Sequence, residues 1–209
     1  MADGDALGPG DFDEVILFDN LSTHRYGSLF DLPAAVPFRF IEGDVLTAAL
    51  DGVFGGADVA VHLAAVTHAV AGAGDQQRVE AVNFDGTARV AEACARQGCR
   101  LLLPSTTSVY GVIDGAVDEG CPATDLRPQT PYAASKLRAE RMLQAMSGSG
   151  LACVVARFGT IYGTSAGMRF HTAINKFCWQ ASQGQPLTVW RTAMDQARPY
   201  LDLDDAVRA

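Results

Sequence analysis

With 209 residues and 48% hydrophobic content, the chain can bury one domain core and is short for two. A formal net charge of -8 with no run of Lys or Arg excludes the electrostatic footprint of a nucleic-acid or anionic-membrane binder, so small-molecule chemistry is expected. Five scattered cysteines, Cys94, Cys99, Cys121, Cys153 and Cys178, with no C-x-x-C spacing, argue against a disulfide framework and a zinc site; no metal site is expected, in a reducing, cytoplasmic compartment. Residues 1–10 are polar and glycine-rich without an apolar h-region, and no stretch has the length to span a bilayer.

Short apolar, β-rich runs at 15–18, 38–41, 59–63, 100–103 and 151–156 alternate with segments of helical length. That alternation predicts βαβ crossovers and a parallel sheet covered by helices. A first long helix is expected over about 77–97, with Val79, Val82, Val90 and Cys94 facing inward and Gly98 as its stop. Gly86 inside it costs about 1 kcal/mol relative to Ala, which points to close approach by a neighbour, packing before ligand. A second helix begins at Thr130 as N-cap, with Pro131 at N1, Ala133, Leu137 and Leu143 inward and Gly148 closing it. A third, over about 170–183, places Ile174, Phe177, Cys178 and Ala181 at i, i+3, i+4, i+7 and stops at Gly184. Residues 187–190 read as a strand, and 200–203 as a short extended piece running into Asp204 and Asp205.

Tyr132 and Lys136 stand four apart on the capped helix, so both side chains leave one face. A phenol titrates near pH 10 in water, and an adjacent ammonium favours its phenolate, which makes Tyr132 a candidate acid/base. The plain alternative is a surface Lys beside a half-buried Tyr. Upstream, an apolar run enters the hydroxyl-rich stretch from Ser105 through Thr106, Thr107 and Ser108 to Tyr110 and Gly111. At the carboxyl end of a strand such hydroxyls can bond a reacting oxygen, or cap their own turn. Asp19 and Asn20 end another strand, Gly43, Asp44 and Val45 a third, and His62, Leu63, Ala64 and Ala65 a fourth. Ligands of open α/β sheets bind at such ends.

Taken with Asn83-x-x-Gly86-Thr87, the Arg157 to Gly163 run and the Arg198 to Asp205 run, these motifs in this order resemble the extended short-chain dehydrogenase/reductases. Within them the chain is similar to the NAD-dependent epimerase/dehydratase family that acts on nucleotide sugars, from Glu14 to the C-terminus. The resemblance implies a Rossmann-like, doubly wound parallel sheet with NAD as cofactor. It puts Asp19, with Asn20 beside it, at the adenosine ribose, and Asp44 and Val45 around the adenine. Leu63, Ala64, Ala65 and Asn83 would line the dinucleotide path, with Pro104 and Phe158 also in cofactor-binding positions. Thr106 takes the place of the catalytic Ser or Thr, Tyr132 of the acid/base, and Lys136 of its partner, which also holds the nicotinamide ribose. Thr67, Thr106, Thr160 and Arg198 fall where the nucleotide-sugar substrate is met. Thr107 and Ser108 follow Thr106 without an Asp-Glu pair, which favours epimerase over dehydratase chemistry. A homodimer through the Tyr132 helix is the family expectation.

Two departures accompany the resemblance. Relatives open with a strand and a G-x-x-G-x-x-G turn, whereas residues 1–13 offer Gly4, Gly8 and Gly10 without that spacing or strand, and are expected to be disordered. In the usual strand order that strand is central, so two sheet edges are expected to be open. Thr160 stands where an Asn is common. The chain is therefore expected to be a single partial domain, with 160–209 the start of a substrate-binding portion; the alternative to an active enzyme is an incompetent fragment or partner-binding scaffold.

Overall fold

The computed structural model describes residues 12–67, 73–113, 115–170, 172–191, 194 and 197–209. They group into two compact units, one formed by Phe18–Asn20 with Glu42–Phe158, the other by the described parts of Met1–Leu17, Leu21–Ile41 and Gly159–Ala209. Gly4, Gly8 and Gly10, and with them the expectation for most of 1–13, lie outside the described residues.

In the first unit, β3 (Val59–Val61), β4 (Arg100–Thr106) and β5 (Cys153–Phe158) form a parallel sheet in the order β3-β4-β5. Val61 lies opposite Leu102, and Leu102 opposite Val154. Alternation along β4 buries Leu101, Leu103 and Ser105 on one face. There they pack with Val90, Ala91 and Cys94 of α3 (Gly86–Gln97) and with Ala139 and Leu143 of α4 (Pro131–Ser147). A leucine sealed in this way stabilises by about 1.5–3 kcal/mol. The opposite face carries the exposed Val61 and Val154. A short helix, α1 (Leu50–Phe54), seals the edge of the core with Leu50.

The first long helix departs from expectation. It begins earlier, as α2 (Ala73–Glu80), and passes through a π-helical turn, Ala81–Asp85, before α3. Two contacts account for the wider turn. The Asn83 side chain is drawn inward to the Val66 backbone, and the Thr87 hydroxyl donates to the Asn83 carbonyl at 2.7 Å. Gly86 follows directly because a Cβ there would lie 3.0 Å from Val45 Cγ2. Gly98 ends α3 in the left-handed conformation, φ 71°. Helix α4 follows its sequence signals closely, with Thr130 Oγ1 accepting from the Ala133 N–H at 3.1 Å and Pro131 opening the first turn.

In the second unit, β6 (Thr160–Tyr162) pairs in parallel with β7 (Tyr200–Asp202), which leads into α6 (Leu203–Arg208). Helix α5 (Ala173–Ser182) is shorter than expected, and its inward face differs. Cys178 and Ala181 are exposed, while Asn175 and Gln180 are buried. Polar residues turn inward because they bracket loops: Asn175 accepts from Gly163 N and donates to the Arg169 carbonyl, and Gln180 pairs with Thr188. That side-chain clamp on Thr188 stands where a strand over 187–190 was expected; no strand forms there.

Strands β1 (Val15–Asp19) and β2 (Phe38–Glu42) make a two-stranded sheet whose carboxyl ends belong to the first unit. Among the described residues β1 pairs with β2 alone and β3 with β4 alone, leaving each one edge without a strand neighbour. No described helix is long and apolar enough to cross a membrane, and no described group of His, Cys, Asp and Glu converges as a metal site.

Candidate active site at the strand ends

The carboxyl end of β4 meets the first turns of α4. Lys136 is buried and its Nζ donates to the Pro104 carbonyl at 2.9 Å. Burial pulls its ammonium down to about 8, against the opposing pull of the Glu140 carboxylate. Tyr132 is half-buried one turn earlier on the same helix face. Its carbonyl accepts from the Ser135 hydroxyl at 2.8 Å. A positive charge held at this position favours the phenolate of a neighbouring tyrosine. Thr106 ends β4 opposite Phe158 of β5, and its Oγ1 accepts from the Ser108 N–H at 3.1 Å, capping the 3-10 turn Thr107–Tyr110. That bond uses an oxygen lone pair, so capping and donation of the hydroxyl proton are compatible.

Asn83 is fully buried. Its Oδ1 accepts from Val66 N at 2.7 Å, and its Nδ2 donates to the Val66 carbonyl at 3.0 Å and to Ser135 Oγ at 3.2 Å. The amide thus acts as a one-residue strand partner for the segment that follows β3, and ties that segment to α4. Leu63 is 72% exposed there, with Ala64 and Ala65 half-buried and Thr67 exposed.

His62, also in this layer, is 5% exposed. Its Nε2 lies 3.1 Å from Thr87 Oγ1, whose own proton goes to the Asn83 carbonyl. Thr87 can therefore only accept, which assigns the proton to His62 Nε2. Burial first and the nearby Lys136 charge second push the imidazole down to about 4.

At the ends of β1 and β2, Asp19 and Asn20 are exposed. Asn20 Nδ2 donates to Asp44 Oδ2 at 2.8 Å, and Leu46 N to Asp44 Oδ1 at 2.8 Å. These bonds, the Leu46 one first, hold the Asp44 carboxyl below its ordinary value. Gly43 lies against the Phe18 ring, where a Cβ would come within 2.6 Å. Val45 is buried in the core, and Arg89 of α3 fixes its carbonyl and that of Ala48 at 2.8 and 2.7 Å. The first unit thus holds every expected site residue except Thr67's two companions, Thr160 on β6 and the exposed Arg198, which belong to the second unit.

Sequence reasoning missed Glu140. Only 8% exposed, it accepts from the Ser105 hydroxyl and, through one oxygen, from Arg157 Nε at 3.0 Å and Nη2 at 2.7 Å. Ser105 and Arg157 are themselves register partners on β4 and β5, and the Arg157 guanidinium lies 5.0 Å from the Tyr110 ring centroid. Tyr132, Lys136 and Glu140 fall at i, i+4, i+8 on α4, which was the available signal.

A buried lysine thus sits on a strand-end carbonyl, one helical turn from a tyrosine and next to the threonine that ends the same strand. Residues 7–209 match the NAD-dependent epimerase/dehydratase family, and the chain belongs to it. It is 34% identical over 176 residues to an uncharacterised UDP-glucose epimerase, YtcB, of Bacillus subtilis, covering 82% of this chain and 53% of that protein. To a dTDP-glucose 4,6-dehydratase of Streptomyces griseus it is 31% identical over 210 residues, covering 97% and 62%. A crystal structure of the UDP-glucuronic acid 4-epimerase of Bacillus cereus with UDP-glucuronic acid and NAD superposes with a TM-score of 0.76 at 28% identity, covering 93% of this chain and 62% of that one. The chain therefore spans between about half and two thirds of the length of these relatives.

Proposed function

We propose that this chain carries the catalytic face of an NAD-dependent epimerase/dehydratase acting on a nucleotide sugar, through Thr106, Tyr132 and Lys136. The observation that carries the reading is the buried Lys136, fixed on Pro104 O one helical turn from Tyr132. The residues suit NAD at both ends: an Asp44 carboxylate already held ionised and oriented at a strand end, beside the acidic Asp19, for the adenosine portion, and Lys136 for the nicotinamide ribose. NAD, when bound, supplies a reversible hydride acceptor. Tyr132 takes the proton of a sugar hydroxyl as that carbon is oxidised and returns it on reduction, Lys136 favours the phenolate in between, and Thr106 donates a hydrogen bond to the reacting oxygen. Thr107 and Ser108 bring hydroxyls and no carboxylate next to Thr106, which favours epimerisation over loss of water. Thr67, Thr160 and Arg198 complete the reading as substrate contacts, and a cytoplasmic homodimer through α4 belongs to it by family.

Incubation with NAD and a panel of UDP- and dTDP-sugars tests it. Turnover that falls at least about 100-fold in Tyr132→Phe, with NAD affinity kept within a few-fold, is the expected outcome. Absence of both NAD binding and turnover overturns it in favour of the second reading, an incompetent fragment or partner-binding scaffold of the same fold.

A further inference from the structure

Helix α4 buries a cation and an anion on one face, Lys136 and Glu140, a turn apart. The cation's hydrogen bond is to a neutral carbonyl, so its counter-charge must come from elsewhere. Around these two charges stand Tyr132 on α4 and His62 past β3 on the Lys136 side, and Arg157 on β5, with Tyr110 of the 3-10 turn against it, on the Glu140 side. His62 is held neutral by burial. Glu140 is thus the single carboxylate among these groups, and it is shared: Arg157 grips it through two N–H bonds to one oxygen while Ser105 takes the other. Fixed donors on both oxygens replace the hydration this buried carboxylate has lost.

We propose that Glu140 is a positioning residue for the Tyr132–Lys136 pair: held by Arg157 and Ser105, it provides the buried negative charge that keeps Lys136 an ammonium and seated on the Pro104 carbonyl. The inference rests on the reading of Tyr132 and Lys136 as the reacting pair. Glu140 and Arg157 have opposite effects on Lys136. Glu140 draws positive charge onto Lys136, whereas Arg157 neutralises part of that attraction and adds repulsion of its own. A scaffold that merely joined α4 to β4 and β5 would give no such opposition of sign.

The sequence contains two lysines, Lys136 and Lys176. Protein labelled with ¹³C at lysine Cε therefore gives two signals, with Lys176→Arg assigning them and the Lys176 signal reporting that each variant is folded. In ligand-free protein Lys136 is expected to titrate near 8. Glu140→Gln should lower that midpoint by about one pH unit or more, Arg157→Met should raise it, and Glu140→Asp should restore most of the lost shift. If Glu140→Gln does not fold, Arg157→Met and Glu140→Asp decide alone. A Lys136 midpoint unchanged in folded Glu140→Gln or Arg157→Met, or moved in the same direction by both, overturns the proposal. Because the titration needs neither NAD nor substrate, its outcome is independent of turnover; an inactive chain with the expected opposite shifts would sink the functional reading and leave the electrostatic one standing.

Discussion

Acidification should destabilise this protein through His62 before its carboxylates titrate. The folded-state imidazole sits at about 4, below its ordinary value of 6.5, so between those limits the unfolded chain binds the proton that the native state refuses. Stability is complete above about pH 6.5 and falls as pH drops through the unfolded value toward the folded one, levelling off below about 4. A difference of 2.5 units, from 6.5 to about 4, corresponds to about 3 kcal/mol in full, with about 2 kcal/mol already lost at pH 5. That is a large share of a typical domain's 5–15 kcal/mol, roughly. Urea denaturation at fixed ionic strength from pH 7.5 to 4.5, run in parallel on the natural sequence and on His62→Gln, isolates the contribution. Gln keeps an N–H for Thr87 Oγ1 and cannot take up a proton. The natural protein should lose about 2 kcal/mol more than the variant between pH 7 and pH 5. Parallel loss in the two proteins would refute the buried neutral imidazole.

Two further outcomes follow from the same site. Lys136 carries a folded-state value near 8 against 10.5, so its charge opposes folding below about pH 8, and this opposition fades as pH rises from 8 to 10.5. Lys136→Met should therefore abolish turnover while raising stability at pH 7 by about 1–3 kcal/mol, read by denaturant midpoint; a destabilised variant would contradict the assigned burial cost. Asn83→Leu removes the acceptor and donor that hold Val66 N and O, leaving both without their side-chain partner. A loss of about 2–4 kcal/mol is expected, with faster hydrogen exchange at Val66 and weaker NAD binding, because the Ala64–Val66 backbone loses its bracket.

Local signals were legible and tertiary ones were not. Helix α4 could be placed because Thr130, Pro131 and the spacing of Ala133, Leu137 and Leu143 are all within one segment. The π turn could not, because it answers to Val66, 17 residues away from Asn83, and to the close approach of Val45 to Gly86. The inward faces of Asn175 and Gln180 were hidden for the same reason, their partners being loop backbone at Gly163, Arg169 and Thr188. The Tyr132–Lys136 pair was visible as a helical spacing. Glu140 continued that spacing by one more step, but its partners Ser105 and Arg157 become neighbours only through the β4–β5 register.

That register also explains why an arginine rather than a lysine suits position 157. A net positive surrounding favours a phenolate, and a carboxylate beside Lys136 works against it. The guanidinium answers both needs: it grips Glu140 Oε2 by two N–H bonds, sparing Lys136 from full neutralisation, and rests its plane 5.0 Å from the Tyr110 ring centroid, where an ammonium would have neither geometry. With His62 neutral, Lys136 and Arg157 are two cations around one carboxylate, Glu140, a surplus of one positive charge. Protonating His62 would add a second and repel Lys136, so the same acid pH that weakens the fold also crowds positive charge around that lysine.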